Sequence, residues 1–332
     1  MTVDGPRPPL TVEEKRRLER AERSRQNKRG RVNPATMPDR IARTSAFAPR
    51  RYGLITDSTF RRIYEVPGYS VVEVTGRELG SHHRDALVAV FRLPRSKVTA
   101  PNPDYRPGTL ISPFVIHYQS TTTWRDLLTR MGRVHHVRNI AILVSTLQEI
   151  SQVNILVHEG KSIGEIDGAD KAPEKYTRAA LLANRRSSGS ASALINSVSW
   201  KGLQLDSVLE VRFGSAVLDA IEKSRLVSVN ADVQFRLKSD FAKSFWPFID
   251  SQPNHSFIDE ERLAQLSGVQ LNEITSARTA QFRKDCRQAF DDMVKAGGLK
   301  EWRREIIGAG RQKFHRYHYR HALPRQMDLF SL

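Results

Sequence analysis

Six polar or basic side chains recur at helical spacing in the last third of the chain. They are Ser276, Arg278, Gln281, Arg283, Lys284 and Arg287. The apolar stripe of the same stretch consists of Phe282, Cys286, Ala289, Phe290 and Met293, which predicts an amphipathic helix over 272–296. Its polar face offers hydrogen-bond donors of the kind that reach phosphates and base edges in a DNA groove. A solvated charged face gives the same pattern, so the neighbouring elements must decide between the two.

A second candidate helix begins near residue 134, where His135, His136 and Arg138 stand at its start. The apolar members of its pattern are Val137, Ile140, Ala141, Val144 and Leu147. Because much of this helix is apolar, a packing or dimerisation helix is the alternative interpretation. We expect His135 and Arg138 to support DNA binding through phosphates more than to specify a base sequence.

The elements around the 272–296 helix follow a recognisable order. A short helix within 257–268 ends at Gly268, and a hairpin over 302–314 follows the long helix. The basic residues of the hairpin are Arg303, Arg304, Arg311 and Lys313. Short helix, turn, long helix and hairpin make up a winged helix, in which the hairpin (the wing) holds the DNA backbone.

The first half of the chain shows the same order. A capped short helix over 121–132 closes at a glycine turn, and the helix near residue 134 follows it. Strands at 154–157 and 193–198 then flank a polar, basic stretch, as in a second wing. The cations of that stretch include Lys171, Lys175, Arg185 and Arg186. Two copies of one arrangement carry more weight than either alone.

The remaining segments are assigned from shorter patterns. Further strands are predicted at 71–74, 114–118 and 233–237, helices at 85–91 and 240–249, and a proline-rich loop at 94–107. Pro247 is expected to kink its helix or end it early. The predicted fold class is α+β, with two tandem winged-helix domains and a disordered basic N-terminal segment. The predicted boundaries are 1–42 for that segment, 43–232 and 233–322 for the first and second winged helices, and 323–332 for a C-terminal tail.

Charge and cysteine content narrow the class of partner. The 53 Lys and Arg exceed the 36 Asp and Glu, which gives a net charge of +17. Such an excess favours a partner made of phosphate, because each neutralised phosphate releases counterions. A membrane surface is the weaker interpretation, since no apolar run reaches the ~18 residues of a membrane span. Cys286 is the single cysteine and no apolar secretory leader is present, so we expect a reducing, cytoplasmic location.

Residues for catalysis are sparse, and we predict no catalytic site, no metal and no cofactor. The sequence lacks a Gly-x-x-x-x-Gly-Lys phosphate loop and a His-Glu-x-x-His zinc motif. His135 and Arg138 match the His-x-x-Arg of tyrosine recombinases, with Tyr176 at a tolerable distance, but the rest of that catalytic set is missing. The remaining candidates, expected at the surface or facing phosphates rather than binding metal, are His82, His83, His315, His318 and His321.

The C-terminal tail carries a motif of its own. The segment Gln326-Met327-Asp328-Leu329-Phe330 resembles the pentapeptide that binds the bacterial sliding clamp. The glutamine amide suits the mouth of a pocket, and the Met, Leu and Phe side chains suit an apolar cleft. An exposed apolar pentapeptide at a free end has little other reason to exist in water. The alternative is a tail that docks on its own domain.

Further motifs resemble those of the TrfA/RepA-type plasmid replication initiators. They are Arg43-Thr-Ser-Ala-Phe-Ala-Pro49, Glu73-Val-Thr-Gly-Arg-Glu-Leu79 and Arg84-Asp85 in the first half, and Leu237-Lys-Ser-Asp-Phe-Ala-Lys-Ser-Phe-Trp246, Leu263-Ala-Gln-Leu-Ser-Gly268 and Phe282-Arg283 in the second. The resemblance spans roughly residues 43–314. It implies two winged helices that bind repeated DNA sites (iterons) at a plasmid origin, open the nearby duplex, and recruit the host replicative helicase and DnaA.

The same resemblance implies monomers as the active form and a self-dimer as the reservoir. A clamp-binding pentapeptide also occurs in that family, but within the chain, so its terminal position here is a departure.

Three functions are therefore compared. The first is a non-enzymatic plasmid replication initiator. The second is a winged-helix transcriptional regulator or partition-type DNA-binding protein, which has no use for a clamp-binding tail. The third is a recombinase or relaxase, for which Tyr176 or Tyr317 would have to attach covalently to DNA. The tail and the absence of a catalytic set favour the first.

Overall fold

Helices and short, mostly antiparallel strands alternate along the chain, so the predicted α+β class is confirmed. The computed structural model describes residues 34–322 except 45, 51, 58, 67–69, 103, 109–110, 160–188, 253, 270, 272–273 and 309–312. The first half contains β1 (Ala35–Pro38), α1 (Asp39–Arg43), β2 (Phe47–Ala48), β3 (Arg61–Val66), β4 (Ser70–Thr75), β5 (Leu79–Gly80), α2 (Ser81–Phe91), β6 (Ser96–Pro101), β7 (Phe114–Thr123), α3 (Trp124–Arg130), α4 (Val137–Ser151), β8 (Asn154–Glu159) and β9 (Gly189–Ala193).

A connecting stretch leads into the second half. It contains β10 (Ile195–Trp200), β11 (Val208–Phe213), α5 (Ser215–Glu222), β12 (Leu226–Val229) and α6 (Ala231–Arg236). The second half contains α7 (Asp240–Ser251), β13 (Phe257–Asp259), α8 (Glu260–Ser267), α9 (Ser276–Lys295), β14 (Leu299–Ile307) and β15 (Phe314–His321). Within the described residues, no helix is both long and apolar enough to span a membrane.

The strands of the described residues pair in small sheets. Two four-stranded sheets have the orders β3-β4-β8-β9 and β10-β11-β7-β6, and a three-stranded sheet has the order β13-β15-β14. Two short pairs, β1-β12 and β2-β5, complete the set. The β8–β9 hairpin follows α4, and the β14–β15 hairpin follows α9. We call α3–α4–β8–β9 the first unit and α8–α9–β14–β15 the second unit.

Helices α2 and α7 join the two halves through a shared core. Lys243 of α7 forms an ion pair with Asp85 of α2, and both side chains are almost fully buried. The Gln234 side chain donates to the same carboxylate at 3.1 Å, and Ser81 donates to Asp240 at 2.6 Å. Removing one partner of a buried ion pair costs about 3–5 kcal/mol, so these contacts tie the halves together.

The expected strand at 233–237 is wrong, because most of this segment belongs to helix α6. The side chain of Asn230 accepts a hydrogen bond from the Val233 backbone N–H at 3.2 Å and so caps a helix at this point. The Gln234 side chain is fully buried against Asp85. A local cap and a tertiary contact therefore override the β-branched and aromatic composition of the segment.

Pro247 neither ends nor interrupts α7, which continues to Ser251. A proline cannot donate to the carbonyl four residues earlier, which here belongs to Lys243. The Gln234 amide approaches that carbonyl oxygen at 3.5 Å. The expected early stop is thus wrong, since a neighbouring helix supplies a donor where the proline has none.

Three further boundaries differ from expectation. Residues 35–42 were expected in the unstructured basic segment, but β1 and α1 place Ala35, Met37 and Ile41 in the core. The expected 94–107 loop contains β6. The expected 193–198 strand divides, because Ala193 ends β9 while Ile195 begins β10 in another sheet. The basic stretch with Lys171, Lys175, Arg185 and Arg186, like residues 1–33 and 323–332, lies outside the described residues.

Candidate nucleic-acid interface

Helix α9 has the amphipathic form that its sequence predicts. The apolar residues Phe282, Cys286, Ala289, Phe290 and Met293 are all buried. The ring of Phe290 stacks on Tyr317 of β15 with centroids 5.1 Å apart. Thr275 caps the helix by accepting from the Arg278 backbone N–H, which satisfies a donor that the first turn leaves free. The helix is therefore seated on its hairpin by one apolar face.

The beginning of α9 stands clear of the core. The first buried side chain among residues 274–282 of the described chain is Phe282, and every earlier one is exposed or half-exposed. Ser276, Arg278 and Gln281 lie in this free part, and Lys284 follows on the exposed side. A helix that enters a major groove needs such a protruding N-terminal end, because those residues touch the base edges.

The exposed donors of α9 differ in how much they are already engaged. The Gln281 side chain donates to Asp285 at 2.8 Å, one turn further along the helix. Arg278 and Lys284 are exposed, whereas Arg287 is half-buried. The first part of the helix thus presents the exposed cations Arg278 and Lys284, while its last turns carry the acidic Asp291.

Arg283 is held inside the second unit. Its guanidinium makes two hydrogen bonds to Glu260 at the start of α8, at 2.5 and 3.1 Å. Glu260 is almost fully buried and also accepts from the His315 backbone N–H at 3.1 Å. The paired carboxylate raises the pKa of Arg283. Arg283 therefore fixes α9 against α8 and β15. Sequence reasoning missed Glu260, although an acid in the first turn of a helix was a visible signal.

The hairpin residues do not share one face. Arg304 pairs in register with Tyr317, whose ring packs under α9, while Arg303 pairs with His318. Paired residues of an antiparallel ladder lie on one face and successive residues alternate. Arg304 therefore lies on the face of the hairpin towards α9, and Arg303 lies on the other face, 3.9 Å from Glu305. Lys313 is exposed, and Arg311 lies outside the described residues.

A buried histidine marks where the helix and the hairpin converge. Burial is the main cause that lowers the pKa of His315, and Arg283, Arg304 and Arg287 lower it further. His315 is thus enclosed by cations from both elements, and its expected surface position is wrong. His318 and His321 are partly exposed, and His318 pairs with Glu305 at 2.6 Å. Three cations and the carboxylate of Glu260, which opposes their effect on the pKa of His315, thus meet at this junction of α9 and the hairpin.

The nucleophilic groups of the second unit are enclosed. Tyr317 is fully buried, and burial raises its pKa well above the ordinary range. Burial likewise raises the pKa of the Cys286 thiol. Both groups are inert in this state, because a nucleophile must reach its substrate and ionise. Tyr176, the other tyrosine considered, lies outside the described residues.

The first unit exposes a different surface. His136 caps α4 through the Arg138 backbone N–H, and His135 bonds Thr129 of α3 at 2.8 Å, while Arg138 is exposed. Val137 is 62% exposed and Val134 is 76% exposed. The residues of α4 that face the core are Ile140, Leu143, Thr146, Leu147 and Ile150. The expected inner stripe is therefore correct at Ile140 and Leu147, and wrong at Val137 and Ala141, which face outwards.

Of the histidine pair in the first turn of α2, His83 is buried and His82 is half-buried. His83 is fully buried, accepts from the Gly80 N–H at 2.9 Å, and lies 2.6 Å from Glu149. Burial is the main cause that lowers the pKa of His83 to about 4, so the imidazole is neutral. The expected surface position of His83 is wrong. His82, His83 and Glu149 bring three possible ligand atoms together, but both ring nitrogens of His83 are engaged and Arg77 already pairs with Glu149 at 3.0 Å.

One exposed element was not foreseen as a site. Among the described residues, β7 pairs with β11 only from Gln119 onward, so its earlier part pairs with β6 alone. This β6–β7 ribbon exposes apolar side chains on both faces: Phe114, Val115 and Ile116. A two-stranded ribbon is marginally stable alone in water, so such a surface is typical of a contact region. The sequence pattern of a strand could not reveal that its neighbours stop short.

The predicted clamp-binding residues Gln326, Met327, Asp328, Leu329 and Phe330 lie outside the described residues.

The chain matches no family model, and it matches no curated protein in sequence. Among solved structures, it is similar to domains 2 and 3 of RctB, with a TM-score of 0.48 and 10% identity over 86% of this chain and 98% of that one. A second structure of the same RctB domains gives 0.46 and 10% over 85% and 96%. The Pi initiator protein in complex with iteron DNA gives 0.40 and 9% over 60% and 80%. These are distant likenesses in fold, and the iteron DNA is a ligand of the Pi protein.

Proposed function

We propose that this protein is a non-enzymatic plasmid replication initiator that binds iterons, the repeated duplex sites of an origin, through two tandem winged helices. The observation that carries the proposal is the second unit. A helix with an exposed N-terminal end that carries Arg278 is followed by a hairpin whose Arg304 lies on the face towards that helix. The order α7, β13, α8, α9, β14 and β15, with the strand order β13-β15-β14, supports the winged-helix assignment, since a winged helix places a hairpin after two helices joined by a turn.

In this proposal the free end of α9 enters a major groove. Arg278 and Lys284 lie at base edges or phosphates, with Ser276 and Gln281 beside them, and Arg287 faces the backbone nearer the hairpin. Arg304 and Lys313 hold the phosphate backbone from the wing, and Arg311, outside the described residues, is a further candidate for the same role. Arg283 supports the interface by keeping α9 on Glu260. The net charge of +17 supplies the long-range attraction.

The first unit has a supporting role in this proposal. His135 and Arg138 contact phosphates of the adjacent turn of DNA, and the apolar β6–β7 ribbon pairs with a second copy of the chain to form a self-dimer. The exposed Val134 and Val137 support this division, because an apolar helix face has few groups to read base edges.

The remaining partners follow from the resemblance of the sequence to plasmid initiators. After binding the iterons, the protein helps to open the nearby duplex and recruits the host replicative helicase and DnaA, which allows plasmid copy number to be controlled. The tail pentapeptide binds the sliding clamp. The enclosed Tyr317 supports the non-enzymatic assignment, because it has no access to a DNA phosphate in the folded state.

Selection from a random-sequence duplex pool tests the DNA-binding role. The full-length protein is expected to enrich one sequence. The Arg304→Ala variant should then bind that sequence more weakly and lower the slope of log affinity against log salt by about 1. Arg303→Ala is the matched control, since Arg303 is adjacent in the strand and lies on the opposite face. Failure to enrich any sequence, or an equal loss in both variants, would contradict the proposed interface.

Binding to purified bacterial sliding clamp separates the initiator from its closest alternative. The intact protein is expected to bind, and the Leu329→Ala and Phe330→Ala variants are expected not to. Replacement of Arg325, just outside the pentapeptide, provides the control. If the intact tail does not bind the clamp, the transcriptional regulator or partition-type protein becomes an equal candidate, since a double winged helix serves it equally well.

A further inference from the structure

Helix α8 rests on the first half of the chain at two points. The Arg262 side chain donates to the carbonyl oxygen of Arg43, at the end of α1, at 3.1 Å. At the other end of α8, the turn at Gly268 lies against Arg62 of β3. The second unit is therefore held to the first half through α8, the helix that precedes the one that we assign to base recognition.

The contact at Gly268 is unusually close. A Cβ atom at this position would stand 2.9 Å from the Nη1 atom of Arg62 and 3.3 Å from its Cζ atom. Gly268 also has a φ of +66°, a conformation that favours glycine at the end of a helix. The turn at the end of α8 thus lies against the Arg62 guanidinium.

Arg62 is itself held in place by a buried carboxylate. Its Nη1 atom lies 2.9 Å from Glu78, whose side chain is only 2% exposed. Glu78 also pairs with Arg50 and accepts from the Ile55 backbone N–H at 3.0 Å. The buried carboxylate thus holds the Arg62 guanidinium in place through an ion pair beneath the Gly268 turn.

We propose that Arg62 is a positioning residue that sets the spacing between the DNA contacts of the two halves. The Gly268 turn ends α8, and α8 holds α9 through the Glu260–Arg283 ion pair. The position of α9 therefore depends on where that turn rests, and it rests on a residue of the first half. Two DNA-contacting surfaces held at a fixed separation accept one spacing of their contacts and reject others. The inference rests on the proposed function.

Arg61 provides a matched control for Arg62. It is adjacent in β3 and also pairs with a buried acid, at 2.6 Å from Glu73. The two arginines are similarly exposed, at 21% and 25%, and successive strand residues face opposite sides of the sheet. Arg61→Ala and Arg62→Ala therefore each leave one buried carboxylate with one fewer partner, but only the second removes the support of the turn.

The experiment uses the full-length protein and the duplex that it enriches from a random pool. Hydroxyl-radical footprinting locates the regions protected by each half, and one or two base pairs are inserted between those regions. Wild type and Arg61→Ala should lose about 10-fold or more in affinity on insertion, as for a mismatched contact. Arg62→Ala should bind the unmodified duplex more weakly and lose less than about 3-fold on insertion.

The outcomes separate two kinds of failure. If wild type enriches no duplex, the proposed function fails, and the positioning role fails with it. If wild type binds a two-part site and Arg62→Ala keeps the wild-type sensitivity to insertion, only the positioning role is overturned. A site with one protected region would also overturn it, since no spacing would exist to be set.

Discussion

Helices α4 and α9 have equivalent places in the two halves, each after a short helix and before a hairpin. Both are capped at the first turn, and both bury one apolar face. Their outward faces differ. Helix α9 presents Arg278 and Lys284 to solvent, whereas α4 presents Val137 and Ile142, with Arg138 as the exposed cation near its start.

The same order of elements therefore carries two chemically different outward faces, one mainly polar and one partly apolar. Base edges are read by hydrogen-bond donors and acceptors. The exposed residues of α9 up to Lys284 are polar or alanine, whereas those of α4 include the larger apolar side chains of Val137 and Ile142. An exposed apolar face favours a protein contact or a supporting role. The order of elements therefore identifies two similar units. Under the proposed function, the chemistry of the outward face separates the unit that specifies a DNA sequence from the unit that supports it.

The largest expected effect concerns the internal ion pair that distinguishes α9. Arg283→Ala leaves Glu260 buried with its charge unpaired, so we expect a loss of about 3–5 kcal/mol in the free energy of unfolding. Lys284→Ala, one residue further along and exposed, should change it by less than about 0.5 kcal/mol. Urea denaturation monitored by tryptophan fluorescence measures both. Equal stabilities of the two variants would mean that Arg283 is not the anchor of α9.

A smaller change, in the free energy of DNA binding, is expected at the N-terminal end of α9, which we propose contacts base edges. Arg278→Ala should weaken binding to the enriched duplex by about 1–3 kcal/mol and relax the preference at one base position. Competition binding against duplexes mutated at single positions measures this. If Arg138→Ala, in the first unit, relaxed a base preference and Arg278→Ala did not, the first unit and not the second would be the one that reads bases.

The pH dependence of stability tests the buried histidine of the first half. The pKa of His83 is about 4 in the folded state and about 6.5 in an unfolded chain. Between these values the unfolded state binds more protons, so stability falls as the pH is lowered from about 6.5 towards 4, by at most about 1.4 kcal/mol per unit. The His83→Gln variant should show a weaker dependence in urea titrations at pH 7 and pH 5. An unchanged slope would show that His83 is not the group responsible.

The smallest effect is expected from a phosphate contact in the first unit. Arg138→Ala should weaken binding to all duplexes alike and lower the salt slope by about 1, with no change in sequence preference. Affinity measured between 50 and 200 mM salt, on the enriched duplex and on an unrelated one, tests this. Gln148→Ala, at the exposed far end of the same helix, is the control.

Long periodic patterns were the part of the fold that could be predicted. The 20-residue helix α9 was expected within a few residues of its ends, and its five apolar positions are all buried. A long amphipathic segment repeats its signal over several turns, so local noise averages out. Short segments such as 35–43 and 233–237 carry one or two turns of signal, and distant partners decided their structure.

Contacts between distant residues also limited what could be predicted of the candidate site. The sequence identified the donors of α9 and the hairpin that follows it. It could not show that Arg283 is engaged by Glu260, because these residues lie 23 positions apart and meet only when α8 packs on α9. It also could not separate Arg303 from Arg304, since the faces of a strand are assigned by what packs on them.

The amino-acid sequence by itself determined the positive charge, the order of helices and strands in each unit, and the residue types available for contact with phosphate and bases. These depend on composition and on local periodicity, which any conformation of the chain retains. Only the tertiary structure decided which cations are exposed, that His83 and His315 are enclosed, and that Arg62 lies against the turn at the end of α8. Burial and pairing depend on distances between residues far apart in the chain, and those distances exist only in the folded state.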